Sequence, residues 1–147
     1  MRAGGVDFHV VQHGSGRPVL VLHGAGVDHR EAEACFEPAL DGAGLRRLYP
    51  DLPGHGRTAA PPSLRGADDV VDALLELAQL AGDGEPVLLV GHSAGGYLAL
   101  AVAQRRPRSS PASPSSARCW PAPTTSRRTG WSWATAGSVT RATAATS

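Results

Sequence analysis

The chain has 147 residues, 41% hydrophobic and 18% charged, with a formal net charge of +1, enough for one domain. Its longest runs of Val and Leu are four residues, Val19 to Leu22 and Val87 to Val90, against the ~20 apolar residues a bilayer span needs; the N-terminus has neither the apolar stretch nor the cleavage site of a signal peptide. A cytoplasmic protein without a membrane segment is therefore expected. The charge is unevenly spread: residues 1–107 carry nine Arg against all thirteen acids, whereas residues 108–147 carry five Arg, sixteen Ser or Thr and no Asp, Glu or His, so the first 107 residues are expected to fold and the last forty to form a low-complexity tail.

Residues 6–12 mix β-branched and aromatic residues with polar ones before Gly14-Ser15-Gly16, which predicts an outer strand and a turn. Pro18 to Leu22 is a continuous apolar run closed by His23-Gly24, the pattern of a strand buried on both faces of a parallel sheet. Residues 29–40 predict a helix with Ala32, Cys35, Phe36 and Ala39 as its apolar stripe, and Asp28 stands where a helix cap would. Leu45 to Tyr49 predicts a strand ended by the loop Pro50-Asp51-Leu52-Pro53-Gly54. Ala67 to Ala81 predicts an amphipathic helix with Val70, Leu74, Leu77, Ala78 and Ala81 inward. A second buried strand follows at Pro86 to Val90, then a helix from Ala94 to Arg106, with Arg105 and Arg106 in its last turn and Pro107 as its stop. This alternation argues for an α/β fold with a mainly parallel sheet. Cys35 is expected to be a small buried residue and Cys119 incidental; the two have no metal-site or disulfide-framework spacing. The tail arginines are scattered without aromatic platforms or lysines, which argues against nucleic-acid binding.

Gly91-His92-Ser93-Ala94-Gly95 is a G-x-S-x-G motif set between a buried strand and a helix, where a serine is forced into a strained turn that lifts its hydroxyl above the sheet. Ser93 is the candidate nucleophile; Gly91, Gly95 and Gly96 give the turn clearance, and the Ala94 amide at the helix start is placed to bind an oxyanion. The alternative is a helix-capping serine beside a Gly-rich turn. His23-Gly24-Ala25-Gly26 follows the first buried strand, where the two glycines allow close backbone approach and Ala25 supplies a second amide.

With these motifs the chain resembles the α/β-hydrolase superfamily, in its serine esterase and lipase branch, over about residues 1–107. Three motifs carry the resemblance: Leu22-His23-Gly24, Asp51-Leu52-Pro53-Gly54-His55-Gly56-Arg57-Thr58, and the elbow Gly91 to Gly95. The resemblance implies an α/β-hydrolase fold, Ser93 as nucleophile, the amides of Ala25 and Ala94 as oxyanion hole, a small acyl or ester substrate and no cofactor. It implies that His23 orders the oxyanion turn, that Asp51, Gly54 and Gly56 belong to a structural loop beside the elbow, and that His92 fills the variable elbow position. Asp28 and His29 either line the substrate pocket or form a solvated, Asp28-capped helix start; with His23 they lack a defined metal-ligand spacing. A serine nucleophile argues against the dehalogenase and epoxide-hydrolase branches.

The family orders its triad Ser, Asp or Glu, then His, yet no acid and no histidine follows Ser93. Losing the histidine of such a unit costs on the order of a millionfold in turnover, so the chain as written is expected to be nearly inactive unless an earlier pair such as His29 with Asp28 substitutes. The absence of Lys, Ile and Asn points to a GC-rich gene, in which an out-of-frame reading stays open. Shifting Ser109 to Ala122 by one base yields an apolar peptide with the character of a buried strand. Residues from about Arg108 are accordingly expected to be a frameshifted translation. The nucleotide sequence checks this: its alternative frame should encode an apolar strand and, downstream, an Asp and a His, and a frame without them refutes the idea.

Overall fold

The computed structural model describes residues 1–105 together with two strands, Trp131–Ala136 and Val139–Ala144. In chain order the elements are β1 (Arg2–Ala3), β2 (Val6–Asp7), β3 (Val10–His13), β4 (Arg17–Leu22), α1 (His29–Leu40), β5 (Leu45–Pro50), α2 (Ala67–Gly82), β6 (Leu88–Gly91), α3 (Ala94–Gln104), β7 (Trp131–Ala136) and β8 (Val139–Ala144). Strands β7 and β8 pair antiparallel, Trp131 opposite Ala144. The rest of the Ser- and Thr-rich segment, and Arg106, lie outside the described residues. No helix among the described residues is long and apolar enough to cross a membrane.

The main sheet has the order β3-β5-β4-β6, with β4 parallel to both β5 and β6 and β3 antiparallel to β5. Its central strand explains the sandwich around it. Side chains alternate across a strand, so Leu20 and Leu22 pack with Leu74, Leu77, Ala99 and Val102 of α2 and α3. Val19 and Val21 face the other way, against Ala32 and Phe36 of α1. The side chains of Val19, Leu20, Val21 and Leu22 are fully buried, each contributing roughly 1.5–3 kcal/mol through lost contact with water. This is the two-faced burial that the unbroken apolar run predicts.

Three local readings change. The strand expected over 6–12 is two pieces with different partners: Val6–Asp7 pairs with β1 in a small hairpin turned by Gly4 and Gly5, at φ 55° and 76°, and Val10–His13 joins the main sheet against β5. Cys35 is exposed and Ala39 with it, leaving Ala32 and Phe36 as the buried stripe of α1. The physical reason is a polar seam between α1 and β5: Arg47, buried in β5, donates to Glu37 through Nε at 3.0 Å and Nη2 at 2.6 Å, and to Asp41 at 3.0 Å. The Tyr49 hydroxyl also donates to Glu37, at 2.5 Å. Satisfying those charges turns the glutamate side of α1 toward the sheet and Cys35 outward. Helix α3 ends at Gln104, so Arg105 stands at its C-cap instead of in the last turn. It reaches across to Asp68 and Asp72 of α2, both at 3.0 Å.

The second helix starts as a backbone without a side-chain cap at Gly66, and Asp69 compensates: its Oδ2 accepts from the amides of Arg65 at 2.8 Å and Gly66 at 3.1 Å. These anchors leave the C-terminal ends of β4, β5 and β6 side by side, the edge of a parallel sheet where loops build sites.

Candidate active site

Ser93 occupies the junction of β6 and α3 with φ 49° and ψ −118°, outside the regions L-residues ordinarily adopt and worth on the order of 1–3 kcal/mol of strain. The strain is held by close backbone packing that only glycine permits. A Cβ on Gly91 would run into the carbonyl group of Gly95 and lie 2.6 Å from the Gly96 nitrogen, and one on Gly95 would strike the carbonyl oxygens of Leu22 and His23. The G-x-S-x-G spacing is thus a steric requirement of the turn. Amides of Gly95, Gly96 and Tyr97 close the first helical turn onto His92 and Ser93 carbonyls, while the Ala94 amide makes no hydrogen bond to a described group outside the helix. The Ser93 residue is exposed, and no described side chain hydrogen-bonds its hydroxyl.

The loop after β4 comes up against this turn. An added Cβ on Gly24 would lie 3.6 Å from the Ser93 Cβ. Its conformation is set by His23, which is fully buried: Nε2 accepts from the Leu52 amide at 2.9 Å, so the ring proton sits on Nδ1, 2.7 Å from the Gly24 carbonyl oxygen. That carbonyl and the Ala25 amide belong to one planar peptide unit. Fixing the oxygen toward His23 points the Ala25 N–H the opposite way, where it bonds no described group. Burial, the dominant influence, pushes the His23 imidazole below its ordinary value and keeps it in this neutral tautomer.

Asp51, also fully buried, joins the next loop to the start of α1. Its Oδ1 accepts from the His29 amide and ring Nδ1, each at 2.8 Å, and Oδ2 accepts from the Arg57 amide at 2.8 Å. Burial works to raise its carboxyl, and the Arg57 and His29 amides with the His29 ring outweigh it, holding the carboxyl below its ordinary value. Gly56, at φ 52°, leaves no room for a Cβ beside that carboxylate. Gly54, at φ 78°, donates to the Thr58 carbonyl. The alternative pairing of His29 with Asp28 is not formed: His29 pairs with Asp51, while Asp28 is the cap of α1, accepting from the Arg30 amide, and binds the Arg30 guanidinium at 2.6 Å. An Asp directly before the helix is committed to its first turn, whereas Asp51 reaches His29 from a neighbouring strand end. Both residues nonetheless border clefts. An open one of about 630 Å³ lies between Gly26, Val27, Asp28 and Glu31 on one side and Gly54 and His55 on the other. A smaller one of about 260 Å³ includes His29, Asp51 and Arg57.

His9 stands edge-on to His29, ring centroids 5.3 Å apart, and with Asp51 these are the described residues whose donor atoms converge, within 4.8 Å. Neither His9 nor the His29–Asp51 pair stands out in the sequence, since 22 residues separate the pair and only the fold joins them. A cation there would have to displace the hydrogen bonds already held by the Asp51 carboxylate, so the cluster is a structural joint between β3, β5 and α1.

The chain matches the Alpha/beta hydrolase family over residues 19–146 and belongs to that family; the match does not stop at the change of composition near Arg108. It is 39% identical over 110 residues to Lipase LipV of Mycobacterium tuberculosis, covering 69% of this chain and 38% of that one. Among solved structures it is similar to the epoxide hydrolase VrEH1 of Vigna radiata, with a TM-score of 0.60 and 31% identity over 73% of this chain and 33% of that one. A thermophilic esterase of Thermogutta terrifontis gives a TM-score of 0.56 with 27% identity, over 68% and 36%. The chain thus spans little more than a third of the length of these relatives.

The neutral His23 and ionised Asp51 predict the acid response of the fold. His23 has a lowered folded value, so its contribution is complete above the ordinary 6.5 and is lost as pH falls from there toward that value. Asp51 adds a second loss below the ordinary 3.8. Thermal melts should be flat from pH 8 to 7 and fall between pH 6.5 and 5; His23→Gln should lower the melting temperature at pH 7 and flatten that slope. An unchanged slope in the variant would contradict the tautomer assigned to His23.

Proposed function

We propose that the chain carries the nucleophile and oxyanion half of a serine hydrolase site that acts on carboxylic esters or related small acyl compounds. The observation that carries this reading is Ser93 itself, strained to positive φ and exposed at the start of α3, with the Ala94 and Ala25 amides bonded to no described group outside that helix. In the proposed reaction Ser93 Oγ attacks the acyl carbon and loses its proton to a base. The carbonyl oxygen, now negative, is bound by the two amides, and collapse of the tetrahedral intermediate expels the alcohol and leaves an acyl-enzyme that water hydrolyses. The likeness to a lipase and an esterase supports an ester substrate. Asp28 and His29, at the clefts beside the oxyanion loop, are proposed to border the bound substrate, and no cofactor is required.

The base is the part this chain does not offer from the family's usual place after Ser93. Among the described residues no histidine hydrogen-bonds the Ser93 hydroxyl: His29 is held by Asp51 through Nδ1, and His23 has both ring nitrogens committed. The 147-residue chain is therefore proposed to be nearly inactive, with residues 108–147 a frameshifted tail. A Ser93 hydroxyl without a hydrogen-bond partner among the described residues equally favours a second reading, a binding protein that keeps the pocket and performs no acyl transfer.

A fluorophosphonate probe separates the two. A form carrying the alternative-frame acid and histidine should be labelled at Ser93, its Ser93→Ala variant should not, and the 147-residue chain should react at least about 10⁴-fold more slowly. Absence of labelling in the restored form would overturn the hydrolase reading in favour of the binder.

A further inference from the structure

We propose that Glu31 is a positioning residue that locks the oxyanion loop to the nucleophile elbow. It stands in the first turn of α1, and its single carboxylate contacts its own helix and two other segments. Oε2 accepts from the Gly24 amide at 3.2 Å. Oε1 lies 2.5 Å from His92 Nδ1 and accepts from the Cys35 thiol, one turn along α1, at 3.4 Å. This buried ring nitrogen faces the Glu31 carboxylate at contact distance and makes no hydrogen bond among the described residues.

The consequence follows from peptide geometry. Gly24 is held at its nitrogen by Glu31 and at its oxygen by His23. Two planar peptide units meet at Gly24, and each is pinned by a different side chain, so neither can flip without losing a bond. Glycine is the residue most able to flip, and a flip would turn the Ala25 amide away from Ser93. On the other side Glu31 meets His92, the residue before the nucleophile, whose Nδ1 lies 3.3 Å from where a Gly24 Cβ would stand. One carboxylate therefore sets the distance between the two proposed oxyanion donors, one on each wall. An anion beside an oxyanion pocket opposes the charge that develops there, which makes the role of Glu31 one of position and leaves charge stabilisation to the amides.

This inference rests on the oxyanion roles proposed above for Ala25 and Ala94, and its test is independent of turnover. Hydrogen exchange followed by mass spectrometry on the 147-residue chain reads the peptide His23–Asp28, and the ¹⁵N resonance of the His92 ring reads the other contact. Glu31→Leu removes both contacts and should speed exchange in that peptide at least about tenfold, with β4 and α2 unchanged. Glu31→Gln keeps an acceptor oxygen for Gly24 and loses the charge, so it should hold exchange within about threefold of the parent while shifting the His92 Nδ1 resonance. Unaltered exchange in Glu31→Leu, or acceleration spread equally through β4 and α2, overturns the proposal. If Glu31→Leu fails to fold, an unmoved His92 resonance in Glu31→Gln overturns it instead. Absence of Ser93 labelling in the restored form, with these results intact, would count against the hydrolase reading alone.

Discussion

Everything in the proposed site depends on one backbone crossing. The turn that ends β6 passes so close to the end of β4 that Gly95 lies against the Leu22 and His23 carbonyls, and Gly91 against Gly95 itself. The crossing extends the pairing of the two strands, Leu22 beside Gly91, by one more hydrogen bond, from the His92 amide to the Leu22 carbonyl at 3.0 Å. A chain that must turn within that space and then start a helix can do so only with Ser93 at positive φ. The cost of the strained residue is of order 1–3 kcal/mol, small beside the burial of β4 on both faces, and so the fold sustains it.

The loops around the elbow are tied in series. His23 bonds the loop after β5 through Leu52 and its own loop through Gly24; Asp51 bonds α1 through His29 and the loop after β5 through Arg57; Glu31 bonds the loop after β4 and approaches the elbow. Each tie uses a buried or half-buried polar side chain whose desolvation is offset by bonds to backbone amides, which cost much to leave unpaired. In the proposed reading a site built this way is preorganised, with the proposed oxyanion donors held in place before substrate arrives.

Much of this was legible in the sequence because it is local. The β4 run, the G-x-S-x-G elbow, the Asp51 loop and the α2 stripe each announce themselves within a few residues. The long-range polar pairs do not. Nothing near His29 distinguishes Asp28 from Asp51 as its partner, and nothing near Cys35 reveals that Arg47 and Tyr49 would turn Glu37 inward and the thiol outward. The hairpin at Gly4 and Gly5 hid behind a strand-like composition. The triad acid and base have no counterpart among the residues of this chain after Ser93, and among the described residues β6 is the last hydrogen-bonded strand of the main sheet, with β8 lying near it.

The central claim is that the elbow glycines are demanded by backbone contact. The direct measurement compares thermal unfolding of Gly95→Ala with that of Gly66→Ala, a helix-start position at which an added Cβ meets nothing within 4 Å. Gly95→Ala should lose more than about 3 kcal/mol or fail to fold, since the obstruction is backbone and cannot rotate away, while Gly66→Ala should stay within about 1 kcal/mol of the parent. Melting temperatures for both variants within a few degrees of the parent, about 4 °C or less, would show that the crossing is looser than described and would contradict the account.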